Sequence, residues 1–376
     1  MQFITKYQRI LDRIDKLNPL NYASTRNYSD GEVAYLSPYI SRGVISLKQV
    51  AETLVARGYD FSDMEKFIQQ LAWREYFQRV WQQLGDDMFD DIRRIYSGIQ
   101  HRRLQQSIAT AGTGIDAIDK SIQQLYATGY MHDHLRMYVA SISCNIGKAW
   151  WQMPSQWMYY HLLDGDLASN TCSWQWVAGS FSSKKYYCNQ ENINRYTSGN
   201  QQNTFLDRSY DELRLMDVPA VMKATVSPIL TTTLPRTEKP LVTDSQLPLL
   251  IYNSYNLDPV WRSSEKANRI LLLEPSHFKK FPVSQNVLQF IIDLSANIDG
   301  IQLFVGEVNE IPGINQYPAI FSKENPAFSH YPGKKDERDW LFPHAKSYNK
   351  SFFQFWKLCQ SQFKKDNDRQ PALHFA

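Results

Sequence analysis

Apolar residues recur at intervals of three and four through the first half of the chain, which is the period of an amphipathic helix. The clearest run places five of them on one helical face: Leu135, Val139, Ile142, Ile146 and Ala149. The same period predicts helices over residues 1–18, 64–84 and 116–126, whereas residues 85–115 and 181–203 are polar and predicted to be irregular. The first half of the chain is therefore predicted to be helical.

Beyond residue 248 the pattern changes to short runs that are apolar throughout. Residues 249–252, 269–273 and 301–305 predict strands that are buried on both faces. Residues 284–298 carry the helical period between the second and third of these strands, and residues 351–365 predict a closing helix. Strand, strand, helix and strand in this order predict a parallel, Rossmann-like α/β domain.

A segment with neither the helical period nor continuous apolar runs separates the two halves. Five prolines punctuate a Thr-rich stretch between residues 219 and 248, and such a stretch is expected to be extended rather than packed. We therefore predict a helical domain over residues 1–215, a linker over residues 216–248 and a smaller α/β domain over residues 249–376. The α/β part has no GxGxxG fingerprint, so its sequence does not indicate a dinucleotide site.

Composition narrows the class of protein only slightly. A hydrophobic content of 43% with 21% charged residues is ordinary for a globular protein. The aromatic content of 14% is high, which favours either a large aromatic core or an aromatic-lined cofactor site. A net charge of +3 permits a basic patch for DNA without requiring one. The four cysteines form no CxxC pair, so no metal site is predicted, and without a signal peptide or long apolar run we expect a cytoplasmic protein.

Several spaced motifs fall on the helical half. Residues 128–137 read TGYMHDHLRM, residues 164–170 read DGDLASN, and residues 174–176 read WQW. Upstream lie YASTRNYSDGEVAYLSPYISRG over residues 22–43 and FIQQLAWREYF over residues 67–77. In this order the motifs resemble the FAD-binding domain of the photolyase/cryptochrome family. The resemblance implies an all-helical flavoprotein domain that binds FAD.

The resemblance also implies which residues contact FAD. These residues are Tyr22, Arg26, Leu36, Ser37, Arg74, Arg136, Asp164, Asp166 and Asn170. By resemblance, Asn170 faces N5 of the flavin, where a neutral amide supports a reduced ring, and Asp164 pairs with Arg136. The pair would be costly to bury, so tuning of the ring's electronics is the better reason for its presence.

The segment over residues 22–43 is predicted to be loop-like until a helix begins near Leu36. Backbone N–H groups at the start of that helix, together with the Ser37 hydroxyl, would form a seat for phosphate groups. A plain helix cap at Ser37 is the alternative. By resemblance, this segment holds the phosphate and ribityl parts of the cofactor.

Photoreduction in the family uses a chain of tryptophans, and two of them have counterparts here. Trp174 and Trp151 match the proximal and middle members of that chain. The third member has no tryptophan near Gly98, where Tyr96 is the nearest aromatic residue. Two further tryptophans, Trp150 and Trp157, are alternative routes, and simple packing is the other interpretation of both.

The predicted substrate side lies on the helix over residues 64–84. Gln70, Trp73, Arg74 and Phe77 follow one another at i, i+3, i+4 and i+7 and therefore share one face. By resemblance, Gln70, Trp73 and Asn170 take part in catalysis, and the residues that contact the lesion are Gln70, Trp73, Met137, Asp133 and His134.

Three of these positions depart from the enzymes that repair cyclobutane dimers. Gln70 stands where those enzymes carry Glu, and Asp133 with His134 replaces an Asn-Arg pair. A carboxylate at Asp133 opposes the approach of DNA unless His134 or His132 offsets its charge.

The order of the domains also departs from the family pattern. Photolyases carry an α/β antenna domain before the flavin domain, whereas the α/β domain follows it here. We interpret the chain as a family member with permuted domains, and an unrelated α/β domain is the alternative. Whether this domain binds a second, antenna chromophore stays open.

Two functions remain open. In the first, the protein is a light-dependent DNA photolyase, in which reduced FAD donates an electron to a pyrimidine photoproduct in ultraviolet-damaged DNA. In the second, it is a cryptochrome-like blue-light photoreceptor that signals through a protein partner without repairing DNA. The motifs at the substrate side favour the first function, and the altered positions Gln70, Asp133 and His134 favour the second.

Overall fold

The computed structural model describes residues 3–94, 98–236, 240–346 and 351–368. The helical part contains α1 (Tyr7–Lys16), α2 (Pro19–Thr25), α3 (Ser37–Ser41), α4 (Leu47–Ala56), α5 (Phe61–Leu84), β1 (Leu104–Gln105), α6 (Gln106–Ala109), α7 (Asp116–Thr128), α8 (Asp133–Ser141), α9 (Gln152–His161), α10 (Leu167–Ala178), α11 (Gln190–Thr197), α12 (Tyr210–Leu215), α13 (Ala220–Lys223) and β2 (Thr225–Val226). A π-helical turn, Ile142–Ile146, continues α8.

The α/β part completes the chain. It contains β3 (Leu249–Tyr252), β4 (Asn268–Leu273), α14 (Pro275–Lys280), α15 (Gln285–Ser295), β5 (Ile301–Val305), β6 (Ile320–Lys323), β7 (Lys334–Asp336) and α16 (Phe352–Asp368). Short 3-10 turns cover Gly85–Phe89, Val308–Glu310, Ile314–Gln316 and Pro326–Phe328. An all-parallel sheet has the strand order β5-β4-β3-β6-β7.

The longest helix, α5, is the centre of the helical part. It runs for 24 residues and begins where the Asp63 carboxylate accepts a hydrogen bond from the Asp60 N–H at 3.2 Å. It ends at Gly85, whose φ of +54° suits glycine. Helices α2, α4, α10 and α16 all pack against it, so α5 is enclosed on several sides rather than amphipathic.

The predicted helices of the first half are confirmed, but three segments predicted to be irregular are partly helical. Helix α2 occupies the start of residues 22–43 because the Asn18 side chain caps it, accepting from the Leu20 and Asn21 N–H groups. Helix α11 lies within residues 181–203, where Asn189 caps it in the same way. These two corrections arise from asparagine caps. The third segment, residues 85–115, contains the 3-10 turn Gly85–Phe89 and the short helix α6.

The three predicted strands and the parallel arrangement are confirmed within one residue at each end. Strands β3 and β4 are buried along their whole length, as continuous apolar runs require. The sequence did not predict β6 or β7, which lie on one side of β3. Strand β7 is Lys334–Asp336 at the edge of the sheet, so it lacks the apolar signal of a buried strand.

The segment predicted to be an extended linker is packed at its start. Helix α13 lies there, and β2 pairs antiparallel with β1, with Val226 opposite Leu104. This two-stranded ladder is an addition to the helical part. The limits of the three predicted regions stay a prediction.

The helical and α/β parts share one apolar core, in which Phe3 of the N-terminal segment packs on Phe290 of α15 at 6.4 Å between ring centroids. The Tyr159 and Tyr255 hydroxyls lie 2.6 Å apart across the boundary. Within the described residues, no helix combines the length and the apolar character needed to cross a bilayer.

Burial of His277 on α14 makes the fold sensitive to acid. Its ring is 8% exposed and packs on Phe328 at 4.7 Å, and this burial, with Arg42, His330 and Lys280 nearby, lowers the pKa of His277 from 6.5 to about 3. The unfolded chain therefore takes up this proton below pH 6.5 while the folded chain does not. The free energy of unfolding should fall as the pH drops from 6.5 toward 3.

We predict that His277→Phe, which keeps an aromatic ring but cannot titrate, reduces this loss. Between pH 7.5 and pH 5 the parent should lose about 2 kcal/mol more stability than the variant, because its native pKa is depressed. Chemical denaturation at the two pH values measures the difference. Parallel losses in parent and variant would show that His277 is not the acid-sensitive group.

Candidate cofactor and substrate site

A cavity of about 560 Å³ lies between α5, α8, α10 and the segment that leads into α3. The structure brings most of the predicted site residues to its wall: Tyr22, Arg26, Leu36, Ser37, Gln70, Trp73, Arg74, Asp133, Arg136, Met137, Asp164, Asp166, Asn170 and Trp174. Of the predicted residues, Trp151 and His134 are not part of this wall. Residues from distant motifs therefore meet in one place.

The cavity has the properties of a ligand site. Its volume lies within the range of about 300–1,000 Å³ that is usual for ligand pockets. Asp164 Oδ1 and Ser169 Oγ are buried without a hydrogen-bond partner among the described residues, and both side chains line the cavity. Unsatisfied buried oxygens of this kind need a partner, and the polar groups of a flavin nucleotide fit that need.

An ion pair between Asp164 and Arg136 closes one side of the cavity. Asp164 Oδ2 accepts from Arg136 NH2 at 2.9 Å, and Arg136 Nε donates to the Met131 carbonyl at 2.7 Å. Burial works to lower the pKa of Arg136, but the charges of Asp164, Asp133 and Tyr130, together with the Asp164 hydrogen bond, offset it and the pKa rises. These two bonds hold the Arg136 guanidinium and the Asp164 carboxylate in a fixed orientation.

Gly165 lets the chain turn between the two site carboxylates, Asp164 and Asp166. A Cβ at this position would lie 3.0 Å from the Leu162 carbonyl oxygen and 3.1 Å from the Tyr159 carbonyl oxygen. These contacts are tighter than usual for a Cβ, so a side chain here would push on the backbone and glycine is favoured in the DGD motif.

Asp166 is the most extensively bonded carboxylate of the site. It caps α10 by accepting from the Ser169 N–H at 2.7 Å, and it accepts from Arg74 NH2 at 2.9 Å. Gln78 Nε2 lies 2.6 Å and 2.9 Å from its two oxygens. Gln78 was not predicted as a site residue, although it follows Arg74 by four positions on the same helix, which is the spacing that could have identified it.

Asn170 lies one turn into α10. Its Nδ2 donates to the Ser155 carbonyl at 3.0 Å, which orients the amide and leaves Oδ1 as the acceptor for a ligand. The structure thus presents an amide oxygen at the cavity wall, and the predicted contact with flavin N5 remains a prediction.

Two of the predicted electron-transfer tryptophans are buried. Trp174 is 2% exposed and lines the cavity, whereas Trp151 is 1% exposed and is not among the lining residues. Trp151 Nε1 donates to Asp91 Oδ1 at 2.7 Å. Asp91 was missed because its surroundings carry no periodic pattern.

The alternative tryptophans differ in exposure and contact. Trp150 is half-buried and its ring lies 5.8 Å from that of Trp151, beneath the Arg102 guanidinium at 4.2 Å. Trp157 is buried and donates to the Tyr126 hydroxyl at 3.1 Å. Tyr96, the other alternative, lies outside the described residues.

The side of the cavity that is predicted to bind substrate is lined by residues of α5 and α8. Gln70 Oε1 accepts from Arg26 NH2 at 2.8 Å, so Arg26 contacts the substrate side as well as the predicted cofactor side. Trp73 is half-buried, and one face of its ring is stacked on Phe352 of α16 at 3.6 Å. The α16 contact was not predicted, and it leaves only part of Trp73 for a ligand.

The negative charge of Asp133, at the entrance, or mouth, of the cavity, is not balanced by a protonated histidine. His134 stacks on the Tyr196 ring at 4.7 Å, and burial lowers its pKa to about 4, so it is neutral at pH 7. Burial also lowers the pKa of His132. Arg136 Nε, 3.7 Å from the Asp133 carboxylate, provides the balancing charge instead. His134 therefore supports the mouth through ring contacts, outside the cavity wall.

Trp176 also lines the cavity, and its side chain is 36% exposed. It was part of the WQW motif but received no predicted role. Trp174 and Trp176 flank Gln175, which is buried and donates to the Met88 and Asp90 carbonyls. Gln175 thereby fixes the backbone that presents both rings to the cavity.

Comparison with known proteins agrees with this geometry. Residues 67–233 match the family model described as the FAD binding domain of DNA photolyase. Similar relatives named deoxyribodipyrimidine photo-lyase include those of Agrobacterium fabrum (28% identical, 44% of this chain, 37% of the relative), Synechococcus sp. (26%, 56%, 45%) and Streptomyces griseus (30%, 41%, 35%). The chain spans less than half the length of each of these relatives.

Solved structures show a similar relationship. A Synechocystis cryptochrome is 22% identical with a TM-score of 0.47, and the match covers 52% of this chain and 44% of that structure. The family match falls on α5, α8 and α10, which are the helices that form the cavity. Over residues 67–233, the chain is thus similar to the FAD binding domain of DNA photolyase.

Proposed function

We propose that the protein binds FAD in the 560 Å³ cavity and repairs pyrimidine photoproducts in DNA in a light-dependent reaction. The observation that carries this proposal is the meeting of Asn170, Trp174 and the Gln70–Trp73 pair around one cavity. When bound, FAD supplies the absorption of light and the electron that cleaves the photoproduct. The protein residues would bind and orient the cofactor and the substrate and exclude water from the cavity.

The cofactor would be held mainly by carboxylate and amide groups. Asp164 has an unpartnered oxygen at the wall, and Asp166 is held rigid by Arg74 and Gln78. Asn170 offers its Oδ1 to the N5 edge of a reduced ring, since its Nδ2 is already bonded to Ser155. Groups fixed in this way keep their orientation without cost when a ligand arrives.

The electron supply would run from Trp174 to Trp151 and then to Trp150. Asp91 accepts the Trp151 indole N–H, so a positive charge on that ring is stabilised. Trp150 is in ring contact with Trp151 and reaches the surface, whereas Trp157 is buried and bonded to Tyr126. These contacts favour Trp150 over Trp157 as the outer member.

The substrate face would recognise a pyrimidine by one amide and an aromatic wall. Arginine can only donate, so the bond from Arg26 fixes Gln70 with its oxygen toward Arg26. The Gln70 Nε2 then faces the ligand as a donor, which suits a pyrimidine carbonyl. Trp73, Met137 and Trp176 supply the apolar surface for the flipped bases.

A blue-light photoreceptor is the second candidate function, and two observations favour it. Asp133 places a side chain that is 73% exposed at the mouth, which opposes DNA phosphates. Phe352 covers one face of Trp73, so α16 contacts the cavity wall and could transmit a change to a protein partner. For both candidate functions, we propose that the α/β part is a permuted antenna domain. A second chromophore in that domain would belong to the same proposal.

We predict that Trp174→Phe slows photoreduction at least tenfold and leaves FAD bound. Phenylalanine keeps the ring in its buried place but is far harder to oxidise, so binding and electron supply should separate. The measurement is the flavin absorbance under blue light with an external reductant. Trp157→Phe is the matched control, because that ring is buried outside the proposed route, and equal rates in all three proteins would exclude Trp174.

We predict that Trp73→Ala weakens binding of ultraviolet-damaged DNA about tenfold, since stacking on one base contributes about 1–3 kcal/mol. The FAD content should change little. Phe352→Ala is the control, since it removes the same ring contact from the side of α16 and leaves the cavity wall in place. Affinities measured in dim red light for damaged and undamaged duplexes give the comparison.

We predict that Asp133→Asn tightens damaged-DNA binding, and more strongly at low salt, because the substitution removes a repelling charge. Binding and light-dependent repair of a thymine-dimer oligonucleotide are measured on the same preparation. Equal binding of damaged and undamaged DNA by the parent, Trp73→Ala and Asp133→Asn proteins, without repair, would exclude the lyase and leave the photoreceptor.

A further inference from the structure

The face of α5 opposite the cavity holds a segment of the α/β part. Glu75 is fully buried and accepts from the N–H groups of Leu341 at 2.8 Å and Phe342 at 3.1 Å. The Trp340 ring lies between two guanidinium groups, 3.5 Å from Arg79 and 4.3 Å from Arg338. One helix therefore joins the cofactor cavity to the second domain.

Arg338 extends this contact to the cavity itself. Its NH1 donates to Gln78 Oε1, a residue 260 positions away in the chain, and its Nε donates to Glu324 at 2.8 Å. Gln78 Nε2 in turn donates to Asp166, 2.6 Å from Oδ2 and 2.9 Å from Oδ1. A continuous path of hydrogen bonds thus runs from the α/β part to a carboxylate of the cavity wall.

The chemistry of these groups permits one orientation of the Gln78 amide. An arginine can only donate and an ionised carboxylate can only accept, so the amide oxygen must face Arg338 and its nitrogen must face Asp166. Gln78 is 3% exposed, so its side chain is buried between Arg338 and Asp166. Without Arg338, the Gln78 amide loses the donor to its oxygen and is held only by its bonds to Asp166, while Arg74 remains the other side-chain donor to Asp166.

We propose that Arg338 of the α/β part is a positioning residue for the FAD site, acting on Asp166 through Gln78. The inference rests on the proposed FAD binding and is independent of DNA repair. Its consequence is that the α/β part completes the cofactor site of the helical part. A domain that only docked on α5 would contact Glu75 and Arg79 without reaching Asp166.

The test is the affinity of the full-length chain for FAD, measured by the quenching of FAD fluorescence on binding. We expect Arg338→Met to weaken binding about tenfold, as the loss of a buried charge-assisted partner does. Lys280→Met is the matched control, because Lys280 also joins the two parts, through Asp86 at 2.8 Å, but does not approach the cavity. The control should bind FAD as tightly as the parent.

A second pair of variants separates positioning from a general effect on folding. Gln78→Leu should weaken FAD binding, and Arg338→Met with Gln78→Leu should bind no more weakly than Gln78→Leu alone, because Arg338 acts through Gln78. If Arg338 had a purely structural role, the double variant would instead bind FAD more weakly than Gln78→Leu alone, by the loss measured for Arg338→Met. If Arg338→Met does not fold, Arg338→Lys replaces it, since the shorter cation cannot span the same contact.

The outcomes are distinct from those of the proposed function. A parent chain that binds no FAD contradicts the proposed function and this inference together. A parent that binds FAD while Arg338→Met binds equally well overturns the inference alone, as does a double variant whose losses add. Failure of DNA repair with intact FAD binding leaves the positioning test unaffected.

Discussion

The structure depends on keeping one buried carboxylate, Asp166, fully bonded. A charge removed from water is costly unless donors surround it, and Asp166 takes its donors from three places: the start of α10, Arg74 and Gln78. Helix α5 must therefore lie close enough to α10 for two of its side chains, one turn apart, to reach the same group. That requirement sets the position of α5, whose residues line the cavity.

Because other elements surround α5, its two sides make different contacts. Gln70, Trp73, Arg74 and Phe77 line the cavity, as their shared face requires. The opposite side holds the α/β part through Glu75. The same helix therefore lines the cavity and contacts the α/β part.

The sequence predicted what depends on local spacing and on recognisable motifs. The shared face of Gln70 and Trp73 follows from the helical period, and the buried strands β3 and β4 follow from their continuous apolar runs. It did not predict contacts set by tertiary packing, such as Phe352 on Trp73 or Arg338 on Gln78. These pairs are separated by more than 250 residues, and nothing in the local pattern of either partner identifies the other.

The central claim is that the cavity between α5, α8 and α10 binds FAD non-covalently. The most direct measurement is the flavin released when the purified full-length chain, reconstituted with FAD and freed of excess, is denatured. The account predicts a supernatant with the absorbance of FAD at one molecule per chain, and its loss in Asp164→Ala. A supernatant without flavin absorbance from the reconstituted parent would contradict the account.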